Sequence, residues 1–340
     1  MNTLPSDFQT PPPDLRPLGI GELIDRAAHG WRRHFGTLFK LYLAFQLVAF
    51  IGGKAFELSM AKWFPLVRGG LPMARAINDG RQSELFGQYA LFFAFGVPLL
   101  LFGSWLGWLV GVAGSRYFIR KHLGEQATLA DGIARMRARL GTITGVFFLS
   151  VGWVTLALIL SALPGAALAV VGILIDEPVP SAILALLGVF LSFLGVIAAL
   201  VLYVLRFLFT SQIVAMEDVG AREAVRRSKQ LVSGRVGPGF LDRVKVRATL
   251  LLTIVTAILV VVSLTAGIPA TIIHFIYMQP FDPANADPDA VPQLLLVPAQ
   301  LLQTLAQAAF APLFMVVSAL FYVDMRVRRE GLDLELKLGR

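Results

Sequence analysis

Long apolar runs, separated by short basic stretches, organise the whole chain. They cover residues 36–56, 88–114, 142–172, 181–209, 248–276 and 293–323, each reaching or exceeding the roughly 20 residues an α-helix needs to cross a bilayer. Three polar stretches just before a pair of runs carry a helical period instead. Leu23, Ile24, Ala27, Ala28 and Trp31 share one face, with Arg26, Arg32 and Arg33 largely elsewhere. Leu129, Ile133, Met136 and Leu140 repeat the pattern around Arg135, Arg137 and Arg139, and Ala221, Ala224, Val225, Ser228 and Val232 repeat it beside Arg222, Arg226, Arg227 and Lys229. Each stretch predicts a basic amphipathic helix at the membrane interface.

The hairpins that follow begin near Gly36, Gly141 and Arg247, at intervals of 105 and 106 residues. One unit, an in-plane helix followed by a two-helix hairpin, is therefore expected three times. The predicted fold class is all-α: a polytopic transmembrane helix bundle of about six spans, arranged as three hairpins each preceded by a basic interfacial amphipathic helix. The whole chain, 1–340, is expected to form a single integral membrane domain, with an arm and interfacial helix in 1–35, the bundle in 36–323 and a tail in 324–340. Pro98, Pro164, Pro269, Pro298 and Pro312 fall inside runs, where kinks are expected.

Composition agrees: 56% hydrophobic and 15% charged residues exclude an ordinary soluble domain. The absence of cysteine removes a disulfide framework, a thiolate nucleophile and a cysteine-ligated metal. The polar opening with Pro11, Pro12, Pro13 and Pro17 lacks the basic start and short apolar core of a secretory signal, so no removable leader is expected.

Charge sets the expected orientation. Of 30 Lys and Arg residues, 24 lie in the N-terminal arm, 115–141, 206–248 and the C-terminal tail, while the connections after the third and fifth runs hold none. Lys54, Lys62, Arg68, Arg75 and Arg81, after the first run, are the exception, and Lys40 can snorkel. The bias places both termini in the cytoplasm of a prokaryote's cytoplasmic membrane. The net charge of +8 is thus a topology signal that requires no nucleic acid, and anionic headgroups of the inner leaflet are the expected partners of the basic helices.

Small residues predict where helices meet. Gly103, Gly107 and Gly111 recur every four residues, offering a flat face either for an intramolecular contact or for a homodimer; Gly165, Ala169 and Gly172, and Gly188, Ser192 and Gly195, are weaker versions.

Candidate chemistry is sparse. All 22 carboxylates lie outside the apolar runs or at their edges, which disfavours a buried proton relay. Arg206 and Asp324, at the expected cytoplasmic ends of the fourth and sixth runs, either pair across helices or stay local, with Asp324 bonded near Arg326 or Arg328. With Arg329 and Glu330 they form a candidate cytoplasmic charge cluster. Gln293, Gln300, Gln303 and Gln307, with Thr304 beside them, line one face of the last run. That face either lines a cavity for a polar solute or supplies interhelical hydrogen bonds. His274 stands alone near the outer end of the fifth run, and Asp282, Asp287 and Asp289 read as a solvated connector. No phosphate-binding glycine loop, HExxH or GxSxG is present, and the histidines lack metal-ligand spacing, so no catalytic residue, metal or cofactor is expected. In Leu332-Asp333-Leu334-Glu335-Leu336-Lys337-Leu338 apolar and charged residues alternate with a strand's period, so the tail is a candidate edge for a protein partner.

Three stretches together carry a resemblance. They are Arg16-Pro17-Leu18-Gly19-Ile20-Gly21-Glu22-Leu23-Ile24-Asp25-Arg26 leading to Phe35-Gly36-Thr37-Leu38; Met216-Glu217-Asp218 followed by Ala224 to Ser228 and Leu231 to Gly234; and 320–334, from Leu320-Phe321-Tyr322-Val323-Asp324-Met325-Arg326 to Leu334. With them the chain resembles prokaryotic integral membrane proteins of the glycerophosphoryl diester phosphodiesterase membrane-domain type. The resemblance implies membrane architecture over nearly the whole chain. Some such proteins carry a soluble phosphodiesterase domain after the membrane region, whereas about 17 residues follow the last run here, so no hydrolase activity is implied. The expected function is non-enzymatic, in transport or as a membrane scaffold or partner for an envelope process. The alternative is a membrane-embedded lipid-processing enzyme, or an accessory domain of a glycerophosphodiester phosphodiesterase.

Overall fold

A computed structural model of the protein describes residues 16–63, 80, 82–175, 177–278 and 291–332. Among these residues ten α-helices form: α1 (Ile20–Arg33), α2 (Phe35–Trp63), α3 (Gln82–His122), α4 (Leu129–Ala138), α5 (Leu140–Ile173), α6 (Pro178–Phe207), α7 (Thr210–Met216), α8 (Ala221–Val232), α9 (Val244–Met278) and α10 (Gln293–Glu330). Six of them are long and apolar enough to cross a membrane, so the chain is an all-α, polytopic membrane protein. The amphipathic segments are helical as α1, α4 and α8, and the hairpins after them start at Phe35, Leu140 and Val244, 105 and 104 residues apart. Helices α3, α5, α9 and α10 continue through all five interior prolines. The tail beyond 332, the prolines before residue 16, Arg68, Arg75, Arg81 and the acidic connector lie outside the described residues.

The chain divides into two compact units: Met1–Arg26, Gly111–Thr253 and Val317–Arg340 form the first, Ala27–Val110 and Ile254–Val316 the second. In the first unit, α5 and α6 make an antiparallel pair on the glycine and serine pattern. A methyl group at Gly188 would meet the Ala169 nitrogen at 2.5 Å, and one at Gly172 would meet the Ala185 nitrogen at 2.7 Å. With backbones this close, Ser192 Oγ donates across the pair to the Ala162 carbonyl at 3.1 Å. The weaker small-residue patterns thus carry a closer backbone approach than the Gly103, Gly107 and Gly111 pattern. A methyl at Gly103 would meet nothing within 4 Å, one at Gly107 only the Phe45 ring at 3.9 Å, and one at Gly111 the Ser211 hydroxyl at 3.3 Å.

Of the amphipathic helices, α8 turns its apolar side into protein. Ala224, Val225, Ser228, Leu231 and Val232 of α8 are buried, and α8 packs on α5, α6 and α7. For α8 the interface-lying expectation needs that adjustment: protein covers its apolar face, because α5 and α6 offer a ready apolar surface. Exposed Arg222, Arg226 and Lys229 remain on the other side. Helix α3 ends on Gly124, whose φ of 82° only glycine adopts without strain. There Glu125 donates its N–H to Arg120 and Gly124 to Lys121, closing the helix with the paired bonds of a Schellman motif. Residues 317–325 of α10 are buried throughout.

In the second unit, Trp31 Nε1 donates to the Ala309 carbonyl at 3.0 Å and its ring lies 5.2 Å from Phe310, fixing α1 on α10. Lys54 lies within α2 rather than in the connection after it. It is 9% exposed and bonds to Glu57 at 2.9 Å and to the Gln293 amide oxygen at 3.1 Å. Glu57 likewise falls inside the Phe35–Ser59 span. A lysine this buried needs such partners, because an unpaired buried charge is costly.

Candidate functional site

Charged groups of the first unit converge on four carboxylates, Glu217, Asp218, Asp324 and Glu330, and on three stretches of backbone. Asp324 has a fully buried side chain. Its Oδ1 accepts the Leu18 N–H at 2.8 Å, and both oxygens accept from Arg328 Nε at 3.0 Å. Arg247 Nη2 stands 3.5 Å from Asp324 Oδ2. The Leu18 carbonyl accepts from Arg247 and from Arg328, at 2.8 Å each. Every polar backbone atom of Leu18 is thus held by a charged side chain, and such charge-assisted bonds are stronger than neutral ones. Asp324 is local to Arg328, as one of the two expectations had it, and its second cation is Arg247; Arg206 is elsewhere.

A second ring lies around Glu217. Tyr322 donates its hydroxyl to Glu217 Oε1 at 2.7 Å, and Arg227 bridges Glu217 and Glu330, the latter at 2.9 Å. Arg326 also pairs with Glu330 at 2.9 Å. Burial works against the Arg227 charge, but the hydrogen bond and charge of Glu217, with Glu330, hold its pKa above the ordinary arginine value. Arg329 donates to the Gln230 carbonyl at 2.7 Å and to that of Ser233, closing the end of α8.

The third set of bonds caps α7. Its last carbonyls would otherwise lack partners. Arg135 Nε donates to those of Val214 (3.2 Å) and Ala215 (3.1 Å), and Arg116 donates to Ala215 at 3.2 Å. The cations also complement the negative end of the helix dipole. Arg135 reaches the Glu217 carbonyl at 2.6 Å and Asp218 at 2.7 Å, and Arg139 pairs with the same Asp218. Nearby, the Gln212 oxygen accepts from Ser318 Oγ at 2.8 Å while its amino group donates to the Leu208 carbonyl at 3.1 Å.

Leu18, Met216-Glu217-Asp218 with Arg227, and 322–330 belong to the three stretches that carry the family resemblance, and here they form one latch. The candidate cluster of Asp324, Arg326, Arg328, Arg329 and Glu330 is part of it. Sequence reasoning left Arg135, Glu217, Asp218, Arg227 and Arg247 out of the candidate cluster; Glu217, Asp218 and Arg227 were signalled by their place in those stretches, whereas Arg135 and Arg247 lie outside them and carried no such signal.

Arg206 stands apart, its guanidinium carbon 5.4 Å from the centre of the Trp153 ring. Its backbone carbonyl accepts the Ser228 hydroxyl at 2.9 Å, while Ser228 Oγ accepts the Phe209 N–H at 3.2 Å. The glutamine face belongs to the second unit. Gln293, Gln300, Gln303 and Gln307 are half-buried and Thr304 is buried. Gln293 binds Lys54, Gln303 donates to Ser263 Oγ at 3.5 Å, and Thr304 returns its hydroxyl to the Gln300 carbonyl of its own helix. At 3.5 Å the Gln303–Ser263 bond is at the limit of hydrogen-bond reach. His274 is half-buried. No group of three potential metal ligands occurs among the described residues.

No protein-family model, curated protein or solved structure matches this chain.

Proposed function

We propose that the chain is a non-enzymatic protein of a prokaryotic cytoplasmic membrane, with both termini in the cytoplasm, serving as a scaffold or partner for an envelope process. The observation that carries this reading is how charge is divided in the first unit. Glu217, Asp218, Asp324 and Glu330 are each held by arginine, so none is left as a general base or nucleophile. Arg235, Arg243 and Lys245 remain exposed, a cationic face suited to anionic headgroups and to an acidic partner surface. The lysine and arginine bias supports the orientation. The convergence of the three family-like stretches on one latch supports kinship with the glycerophosphoryl diester phosphodiesterase membrane-domain proteins, and the same arginine-bound carboxylates weigh against the lipid-processing alternative.

A transport reading rests on the second unit, where half-buried amides of α10 and the polar groups Lys54 and Ser263 come together. Affinity purification of the full-length protein from native membranes in mild detergent, with mass spectrometry of what accompanies it, separates the two. The scaffold reading expects a stoichiometric protein partner that is lost when residues 331–340 are deleted while insertion and abundance stay normal. Recovery of the protein alone with one enriched solute would replace that reading with transport.

A further inference from the structure

Many cations of the first unit are neutralised by carboxylates or spent on carbonyls, and three of the others share one wall. Arg206, Lys229 and Lys245 line a single cavity of about 270 Å³ together with Trp153, Leu202 and Leu205, and no carboxylate lies in that wall. The carboxylates of the surrounding segment are bound elsewhere: Glu217 and Glu330 to Arg227, Asp218 to Arg135, and Glu223 to Arg226 at 2.6 Å. Asp242 accepts the Gly239 N–H at 2.9 Å. Arg206 Nε is buried and has no hydrogen-bond partner, which in a settled interior is rare. Its guanidinium is held over the Trp153 face, an arrangement that fixes a cation without neutralising it.

We propose that this cavity is a binding site for the phosphate group of an anionic phospholipid. Arg206 would donate to the phosphate oxygens from inside the cavity, and the ammonium groups of Lys229 and Lys245 would close on it from the rim, where both residues are exposed. The volume corresponds to roughly nine waters of bulk liquid, room for a phosphate ester with part of its glycerol. The rest of the wall is apolar, which suits a lipid better than a fully hydrated free anion. Helix α6 also leads an apolar track away from Arg206: Leu202, four residues back, is 53% exposed, Ala198 beyond it is exposed, and Leu194 is 45% exposed. Residues at this spacing share a helix face, where an acyl chain can lie. The site deepens the scaffold reading by naming one ligand of the cationic face. It is tested by lipid binding, whereas the scaffold reading is tested by partner recovery, so each can fail alone.

The test uses the full-length protein, delipidated in detergent and titrated with dioleoylphosphatidylglycerol under native mass spectrometry. Dioleoylphosphatidylcholine and inorganic phosphate serve as comparison ligands. The expected result is one retained phosphatidylglycerol, preferred over phosphatidylcholine, with affinity about fivefold weaker for each cation removed in Arg206→Gln and Lys245→Gln. Lys245 is a surface side chain, so that variant reads binding without a folding question. Arg222→Gln, on the same helix as Lys229 but outside the cavity, should bind as the parent does. Wild-type affinity in both Arg206→Gln and Lys245→Gln would overturn the site, as would an equal loss in Arg222→Gln. Displacement of the lipid by equimolar inorganic phosphate would overturn the lipid as the source of the phosphate.

Discussion

The latch of the first unit and the glutamine face of the second both place polar groups inside a membrane protein, with opposite chemistry. In the latch, charged side chains reach their acceptors at distances from 2.6 to 3.5 Å, several on one acceptor, as at Asp324 and the Leu18 carbonyl. On the glutamine face the groups are neutral apart from Lys54 and its partner Glu57, and Gln303 meets Ser263 only at 3.5 Å. A charged network fixes one geometry, because removing any member leaves another buried charge uncompensated. A row of amides in apolar helices tolerates loss, since each bond adds little. The latch therefore specifies the structure, while the glutamine face is freer to serve a ligand.

The sharpest way to break this comparison is to remove Asp324. With its carboxylate gone, Arg247, 6% exposed in its side chain, and the Leu18 N–H lose their acceptor together. Asp324→Ala should destabilise the folded protein by about 3–5 kcal/mol, the range for breaking a buried ion pair. Denaturation of the detergent-solubilised protein measures it. A change below about 1 kcal/mol would mean that Arg247 and Arg328 are satisfied by the Leu18 carbonyl alone.

On the other side of the comparison, Gln300, Gln303 and Gln307 replaced together by Leu should leave denaturation within about 0.6 kcal/mol per hydrogen bond lost. If the second unit carries a solute, uptake into cells or proteoliposomes should collapse in the same variant. A large stability loss would make the face a structural element instead, and remove the contrast with the latch.

How far each region was legible in the sequence follows the same division. The glutamines share a face because helical period alone decides it, and the spans and amphipathic helices were legible for that reason. The partner of Asp324 was not, because Arg247 lies 77 residues earlier in the chain and no periodicity links α9 to α10. The choice between glycine patterns was also hidden. Spacing shows that a face is flat, but only packing shows that Gly188 meets Ala169 while Gly103 meets nothing. Lys54 was counted with the connection although it falls within the 36–56 run, and Glu57 and Gln293 partner it inside α2.

The smallest expected effect tests whether charge-assisted bonds matter equally when they are open to water. At the start of α4, Asp131 Oδ2 accepts the Thr128 N–H at 2.7 Å and the Thr128 hydroxyl at 2.9 Å, while Thr128 Oγ1 accepts the Asp131 N–H at 3.3 Å, a reciprocal capping box. The Thr128 backbone bond, then the side-chain bond, hold the Asp131 carboxyl below the usual carboxylate range. A carboxyl with a depressed folded pKa adds stability that is complete above its unfolded value, about 3.9, and is lost as pH falls through the folded one. Asp131→Asn should therefore lower amide protection in the first turn of α4 at pH 6, and the gap from the parent should close below about pH 4. Hydrogen exchange at both pH values reads this, and a gap that persists in acid would assign the cap to Thr128 rather than to the Asp131 charge. Either way the change should stay local to α4, where breaking the Asp324 latch should unfold far more, because water can replace a lost partner at Thr128 and cannot at Arg247.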